Sequence, residues 1–178
     1  MASVFVDALQ KIQEKHPDCE LIIPTLPHLK PLLEEKLKII DLPVYYYTDP
    51  QKKWSVFKSC QCAIAVSGTV GLELVACNVP HLIAYKMNAL SWWFVKRLVK
   101  TRFAHLANII LDKSVVPEFI QGECTSGCIA HKVLQLIEDT KEQEAQKRSF
   151  EKVRSQLLGN NGKAPSESAA DYLLSMGT

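Results

Sequence analysis

The feature that most limits what this chain can fold into is a series of short runs that are apolar at every position, each followed by a longer amphipathic stretch. Residues 62–66 (Cys-Ala-Ile-Ala-Val) are such a run, and residues 81–85 (His-Leu-Ile-Ala-Tyr) are apolar at every position after His81. Strands that are apolar on both faces are typical of a parallel sheet covered by helices on each side, because neither face meets water. The alternation therefore predicts an α/β domain of the Rossmann-like class, with a buried parallel sheet.

Pattern and composition also predict where the elements lie along the chain. Short apolar or β-branched runs predict strands over residues 19–23, 44–47, 62–66 and 81–85 and in the run after His105, and none after Leu111. Helical spacing predicts helices over residues 2–14, 29–39, 50–59, 68–77, 91–100, 115–121, 128–139, 141–158 and 166–175. We therefore expect a Rossmann-like domain over residues 1–139 and a helical tail over residues 140–178. The chain opens on a helix, whereas a βα fold ordinarily opens on a strand.

Composition limits the class of protein. The 178 residues carry 21 Lys and Arg against 19 Asp and Glu, a net charge of +2, and 47% of the residues are hydrophobic. A dedicated nucleic-acid-binding domain is ordinarily more basic, so we expect no nucleic-acid partner. No apolar run reaches the roughly 20 residues that a membrane-spanning helix needs. No signal or transit segment is recognisable at the start of the chain.

The six cysteines indicate a reducing compartment rather than a disulfide scaffold. Two groupings have to be weighed as metal sites, namely Cys60 with Cys62, and Cys124 with Cys128 and His131. Neither has the Cys-x-x-Cys spacing of zinc ribbons and fingers, whereas free cysteines commonly pack as small hydrophobic side chains. We expect core packing, with neither a metal nor another cofactor.

The best candidate for a binding site is the junction where the strand that ends at Val66 passes into the next helix. In open parallel sheets, ligands bind at the carboxyl ends of the strands. Ser67 is a favoured N-cap residue, and Gly68 allows backbone or ligand to come close. The N–H groups at the helix start favour an anion such as a diphosphate, and Glu73, one turn after Thr69, suits a ribose diol. The alternative is a simple capped helix with Glu73 on its solvent side, and the pattern leaves both open.

Three further features are candidates for ligand contact. Asn108, in a near-apolar run, is either a buried, hydrogen-bonded amide, which the pattern favours, or a ligand contact near a strand end. Residues 45–47 (Tyr-Tyr-Tyr) precede another strand-to-helix junction, where ordinary strand packing is favoured over stacking on a base. A short basic and aromatic helix suits the surface of an anionic membrane, with a core helix as the alternative. Its residues are Trp92, Trp93, Phe94, Lys96, Arg97 and Lys100.

Taken together, four segments resemble the carboxyl-terminal half of lipid-A-disaccharide synthase. The segments occur in the family's order and spacing, and the similarity extends from near residue 1 to about residue 175. The segments are Ser67-Gly68-Thr69-x-x-Leu72-Glu73, Tyr85-Lys86-Met87, Lys96-Arg97-Leu98-Val99-Lys100-Thr101 and Leu106-x-Asn108.

The resemblance implies a GT-B-like glycosyltransferase built from two Rossmann-like domains. Such an enzyme transfers diacylglucosamine from its UDP ester onto 2,3-diacylglucosamine 1-phosphate, giving a β-1,6 disaccharide and UDP. The resemblance further implies that this half binds the UDP part of the lipid substrate. The residues implied are Ser67, Gly68 and Thr69 at the diphosphate, Glu73 at the ribose and Asn108 near the cleft.

The chain also departs from the family. The family's first domain, which carries its proposed base and much of its acceptor site, has no counterpart here, and neither has the Pro-Gly-Ser-Arg turn before the first helix. We therefore expect no turnover by this chain alone, and we expect a homo-oligomer or a separate amino-terminal half as partner. The alternative is a non-catalytic module that binds a nucleotide or a lipid.

The cysteine content and the loose tail indicate a eukaryotic, plant-like relative. In plants this pathway is associated with mitochondria, so the resemblance implies a mitochondrial location. Because no transit segment is recognisable, the alternative is a cytoplasmic protein at the membrane periphery.

Overall fold

The computed structural model describes residues 2–66, 68–88, 102–158 and 165–176. Within these ranges the strands are β1 (Leu21–Pro24), β2 (Val44–Tyr47), β3 (Ala63–Ala65), β4 (His81–Tyr85) and β5 (Glu118–Ile120). The α-helices are α1 (Ala2–Lys15), α2 (Lys30–Leu37), α3 (Lys53–Ser59), α4 (Thr69–Ala76), α5 (Leu106–Leu111), α6 (Ser126–Glu138), α7 (Thr140–Leu158) and α8 (Pro165–Met176). Short 3₁₀ turns lie at Pro27–Leu29, Pro50–Lys52 and Gln121–Glu123.

The described strands all pair in parallel, as the sequence predicts. β1 and β2 form one sheet, in which Ile22 lies opposite Tyr45. β3, β4 and β5 form a second sheet with β4 at its centre, where Ile64 lies opposite Leu82. Because parallel neighbours need a crossover, helices lie between most of these strands along the chain. The expectation of a Rossmann-like α/β fold is confirmed.

Helices cover β4 on both faces, which explains why its sequence is apolar almost throughout. Ile83 is fully buried in a cluster with side chains of α3, α4, α5 and α7. Leu82 and Ala84 are fully buried in a second cluster with side chains of α1 and α6. Successive side chains of a strand point to opposite faces, so a strand buried on both sides has no face for polar residues.

The first part of the predicted helical tail packs into the core. Phe150 and Val153 on α7 are fully buried in the same cluster as Ile83. Gln146, also on α7, accepts a hydrogen bond from His81 N at 2.9 Å and donates one to His81 O at 3.2 Å. Helix α7 is therefore an integral layer over one face of the sheet.

The structure corrects the prediction of a strand after His105. Residues Leu106–Leu111 form helix α5, and His105 is its N-cap. The Nδ1 atom of His105 accepts a hydrogen bond from Ala107 N at 3.0 Å, which satisfies one of the N–H groups that a helix start leaves unpaired. A short apolar run has no decisive periodicity, so this cap and the tertiary packing decide the structure.

The prediction of a helix over residues 115–121 is also wrong. These residues contain β5, which pairs with the outer side of β4 and begins where Ile83 N donates to Pro117 O at 2.8 Å. The prediction that strands end at Leu111 fails with it. The pairing partner of β5 lies more than thirty positions earlier in the chain, at His81–Tyr85, so a local pattern does not reveal it.

Candidate functional site

The β3–α4 junction lies where the sequence places its best candidate site. Strand β3 ends at Ala65, and α4 starts at Thr69. In the structure the N-cap of α4 is Gly68, whereas the sequence predicts Ser67, one residue earlier. Ser67 itself lies outside the described residues. Gly68 has φ +145° and ψ −163°, a conformation that costs glycine little and other residues much. The helix therefore begins at a position that depends on glycine.

The start of α4 is exposed, and its N-cap residue, Gly68, has no side chain with which to cap it. Gly68 and Thr69 are exposed, and a Cβ atom built on Gly68 would meet no atom within 4 Å. Gly71 N donates to Gly68 O at 3.3 Å, while the preceding N–H groups of a helix have no acceptor within it. Such N–H groups and the positive end of the helix dipole favour an anion.

Glu73 lies one turn into α4 and forms an ion pair that sequence reasoning missed. Its Oε1 atom is 2.6 Å from Lys53 Nζ, with both side chains partly exposed. Lys53 is the first residue of α3, and its Nζ atom lies 5.6 Å from the centre of the Trp54 ring. The pair joins the β2–α3 and β3–α4 junctions at the same edge of the molecule. The only signal in the sequence was a lysine at a helix start that follows a strand, which is too common to be specific.

The aromatic residues of β2 differ in their exposure and contacts. Tyr45 is exposed, and its hydroxyl donates to Glu20 Oε1 at 3.4 Å. Tyr46 packs against the cluster under β1, and Lys30 Nζ lies 5.8 Å from the centre of its ring. Strand packing therefore accounts for Tyr46, whereas the Tyr45 ring keeps an exposed face.

Asn108 is fully buried, and its side-chain amide makes four hydrogen bonds within the chain. Its Nδ2 atom donates to Val116 O and to Glu118 Oε1, both at 2.7 Å. Its Oδ1 atom accepts from Val115 N and Val116 N, both at 2.8 Å. Since an amide has two donors and two acceptor positions, its capacity is used up. This geometry supports the first of the two interpretations of Asn108, the satisfied buried amide.

His81 and His105 are buried beside Asn108 and bonded to each other. His81 Nδ1 lies 2.8 Å from Val79 O and therefore carries a hydrogen, while His105 Nδ1 accepts from Ala107 N. His105 Nε2 must then donate to His81 Nε2, 3.0 Å away. Burial lowers the pKa of His81 to about 3 and also lowers the pKa of His105, so both rings are neutral.

Glu118 links Asn108 to the backbone just before α5. Its carboxylate accepts from Ala104 N at 2.8 Å and from His105 N at 2.9 Å, in addition to Asn108. We call His81, His105, Asn108 and Glu118 the closed polar cluster. Its members are mutually satisfied, so the cluster holds the β4, α5 and β5 region together.

The membrane-contact residues fall outside the described part of the chain. These are Trp92, Trp93, Phe94, Lys96, Arg97 and Lys100. Among the residues that the structure describes, no helix has the length and apolar character needed to cross a membrane.

The cysteines are free thiols, and they form no metal centre in the described part of the chain. Cys124 and Cys77 are buried, Cys128 is exposed, and Cys60 and Cys62 are partly buried. Burial raises the pKa of Cys62 to about 12, so this thiol stays protonated. Among the described residues no group of three His, Cys, Asp or Glu side chains has the arrangement of a metal site.

Comparisons with known proteins match this chain to a family. The family model for lipid-A-disaccharide synthetase matches residues 1–171. Among curated proteins, the chain is 33% identical to the lipid-A-disaccharide synthase of Rhodopseudomonas palustris strain BisB18 over 174 residues, which is 98% of this chain and 44% of the relative. It is 30% identical to the enzyme of that name from Gluconobacter oxydans over 173 residues, 97% of this chain and 41% of the relative.

By its fold and by the β3–α4 junction, the chain is a Rossmann-like α/β protein with an exposed helix start at the carboxyl edge of its parallel strands. Within that class, the chain belongs to the lipid-A-disaccharide synthase family. It spans less than half the length of the curated relatives that it matches.

Proposed function

We propose that this chain binds the UDP part of a UDP-2,3-diacylglucosamine donor at the β3–α4 junction. In the complete reaction, diacylglucosamine passes from this donor to 2,3-diacylglucosamine 1-phosphate, and UDP leaves. The chain supplies the donor-binding half of a GT-B arrangement. The observation that carries this proposal is the exposed start of α4 at Gly68, with the Lys53–Glu73 pair one turn away.

The diphosphate lies at the helix start. The N–H groups of Thr69 and Val70 and the helix dipole stabilise its negative charge, and Gly68 lets it come close to the backbone. The Lys53 ammonium adds a positive charge at the same edge. The Ser67 hydroxyl is assigned to the same group from the sequence.

The ribose lies against Glu73. A carboxylate accepts hydrogen bonds from both hydroxyls of a diol, and the helix geometry tilts this side chain toward the start of α4. Because Lys53 already contacts one carboxylate oxygen of Glu73, Lys53 and the ribose have to share this carboxylate. Asn108 acts at a distance, since it holds the β5 region in place.

A second candidate function is a nucleotide-binding module without catalysis, and one observation favours it for this chain alone. Glycosyl transfer with inversion needs a base that reaches the acceptor hydroxyl. The two histidines near the sheet, His81 and His105, are buried and bonded to each other, so neither reaches a substrate. We therefore propose binding without turnover by residues 1–178.

Titration of the chain with UDP tests the binding proposal. UDP at about 100 times its Kd should add about 2.7 kcal/mol to the free energy of unfolding, seen as a rise in Tm. Glu73→Ala should weaken UDP more than pyrophosphate, because its carboxylate is assigned to the ribose, and Gly68→Ala should weaken both. Glu151→Ala, which removes an exposed carboxylate from α7, is the matched control and should change neither.

Two results would contradict these assignments. Equal losses of UDP and pyrophosphate affinity in Glu73→Ala would remove Glu73 from the ribose. A Tm that stays constant up to millimolar UDP would remove the nucleotide from this junction. A transferase assay with and without a separately supplied amino-terminal half then decides between the two candidate functions, because only the first predicts activity on mixing.

The segment of residues 91–100 is proposed to contact anionic lipid. Trp92, Trp93 and Phe94 suit the headgroup layer, and each of the basic residues adds about 1 kcal/mol near an anionic surface. Binding to vesicles that contain phosphatidylserine should fall as salt rises, with a shift of tryptophan fluorescence. Fluorescence that is the same with and without vesicles at low salt would make this segment a core helix.

The mitochondrial location is likewise a proposal. It rests on the plant-like character of the resemblance and on nothing in the fold. A fluorescent fusion of the complete gene product, imaged with a mitochondrial marker, tests it, and a diffuse signal in the cytoplasm would favour the alternative.

A further inference from the structure

The two parallel sheets have facing edges with no strand between them. β1 pairs with β2 on one side, and β3 pairs with β4 on one side. Among the described residues, neither strand has a partner on its other side. Both edges therefore carry backbone N–H and C=O groups that a further strand would satisfy.

The hydrogen-bonding pattern identifies the unpaired groups. Leu21 N donates to Pro43 O, and Thr25 N donates to Tyr47 O, so the odd-numbered residues of β1 bond to β2. In a parallel strand the alternate residues bond to the opposite side, which turns the backbone of Ile22 away from β2. Ala63 N donates to Pro80 O, so by the same argument the backbone of Ile64 turns away from β4.

A cavity of about 1210 Å³ separates these two edges. Ile22 and Ile64 are among the residues that line it. Helices α1 and α6 close one side through Leu9 and Ile137, and helices α3 and α4 close the other through Phe57 and Leu74. This is the environment of a central strand in a three-layer α/β fold, with a paired strand on each side and helices on each face.

The residues that line the cavity also indicate the direction in which a strand would run through it. Pro24 at the end of β1, Val66 just after β3 and Ala2 at the start of α1 all line it. In a βα unit the carboxyl end of a strand passes into the start of its helix. A strand parallel to β1 and β3 would end where α1 begins, as the first strand of a βαβ unit with α1 and β1 should.

We propose that this cavity, the strand slot, receives one β-strand that is parallel to β1 and β3 and joins the two sheets into one. The occupant is the polypeptide segment that precedes the matched region in the longer relatives. This chain spans 44% of the length of the Rhodopseudomonas palustris BisB18 relative and 41% of the length of the Gluconobacter oxydans relative. Because the slot is apolar on both faces, the occupant is apolar at successive positions. The order of the completed sheet, β2-β1-slot-β3-β4-β5, is the doubly wound order of nucleotide-binding folds.

A synthetic peptide tests the strand slot independently of nucleotide binding. The peptide copies the residues immediately before the matched region in the Rhodopseudomonas palustris BisB18 relative, with a lysine tail for solubility. Hydrogen exchange of the full chain is measured with and without it. The peptide should slow exchange at the Ile22 and Ile64 amides by about tenfold or more. A peptide with proline at alternate positions, which lacks half of the N–H donors, should have no effect.

A pair of chain variants controls the result. Ile64→Pro removes the N–H that faces the slot and keeps the bonds of Ala63 and Ala65 to β4, whereas Ile64→Val keeps that N–H. The proline variant should lose peptide binding, and the valine variant should retain it. Exchange at Ile22 in the unsubstituted chain remains a readout if the proline variant fails to fold.

Three outcomes would overturn the proposal. Slow exchange at Ile22 and Ile64 without peptide, in a monomer, would mean that β1 and β3 pair directly. The same protection in a dimer, detected by sedimentation, would mean that a second copy fills the slot. Fast exchange that the peptide leaves unchanged would mean that the slot binds no strand. Each of these outcomes leaves the UDP titration free to succeed or fail.

Discussion

The β3–α4 junction and the closed polar cluster lie next to each other in the fold, yet their polar groups are in opposite states. At the junction, the helix start is exposed and the Lys53–Glu73 pair is partly exposed. In the cluster, His81, His105 and Asn108 are almost completely buried and bonded within the chain. Buried polar groups have to be satisfied internally, whereas exposed ones can exchange water for a ligand. The comparison indicates that the junction is suited to bind a ligand and that the closed polar cluster stabilises the fold beside it.

The largest expected effect breaks the cluster. Asn108→Ala removes four hydrogen bonds and leaves Val115 N and Val116 N without their acceptor, so the free energy of unfolding should fall by about 4 kcal/mol. Urea unfolding measures this loss. Leu106→Ala, at an exposed position of the same helix, is the control and should cost far less. A loss in Asn108→Ala as small as that of the control would mean that the amide is not structural.

The next effect tests how closely α4 packs on the cluster. A Cβ atom on Gly71 would overlap the ring of His105, lying only 2.8 Å from its Cδ2 atom, and the ring is held by its bonds to His81 and Ala107. Gly71→Ala should therefore lower the free energy of unfolding by about 3 kcal/mol. Gly127→Ala in α6, where the new Cβ would meet no atom within 4 Å, should be neutral or stabilising. Equal stability of the two variants would contradict the packing.

Acid should weaken the closed polar cluster. Burial lowers the pKa of His81 to about 3, while the unfolded chain has the ordinary value of about 6.5, so below that pH the unfolded chain binds more protons. The contribution of this ring is therefore complete above pH 6.5 and is lost as the pH falls toward 3. At pH 5 the loss is about 2 kcal/mol from His81 alone. Urea unfolding at pH 7.5 and pH 5 measures it, and equal stabilities would mean that the rings are not buried as neutral groups.

The smallest effect on stability is expected at the junction. The Lys53–Glu73 pair is partly exposed, so Glu73→Gln should change the free energy of unfolding by about 0.5 kcal/mol. The same substitution should lower affinity for UDP, because the ribose hydroxyls lose a charged acceptor. A large loss of stability with unchanged UDP affinity would mean that Glu73 stabilises the fold and does not bind the ligand.

Much of the fold was predictable because burial on both faces leaves a local signature. The apolar runs at β3 and β4 and the helix between them were identified from their own residues. Position relative to a strand end was enough to select the β3–α4 junction, since parallel strands share one carboxyl edge. The conformation of Gly68 and the shift of the N-cap from Ser67 to Gly68 required the backbone geometry.

The errors have one physical cause. The run after His105 is a helix that His105 caps, and the segment around Phe119 is β5, which pairs with β4. Short apolar segments fit a helix or a strand almost equally, so long-range pairing decides between them.

The sequence alone determined the fold class, the family resemblance and the edge of the sheet at which to look for a ligand, because these depend on local burial patterns and on motifs in order. The tertiary structure decided which polar side chains are available. Glu73 meets Lys53 from another junction, Asn108 is satisfied by residues of the next loop and strand, and the slot beside Ile64 is bounded by strands distant in the chain. Availability depends on which groups are brought together by folding, and single-sequence patterns do not contain that information.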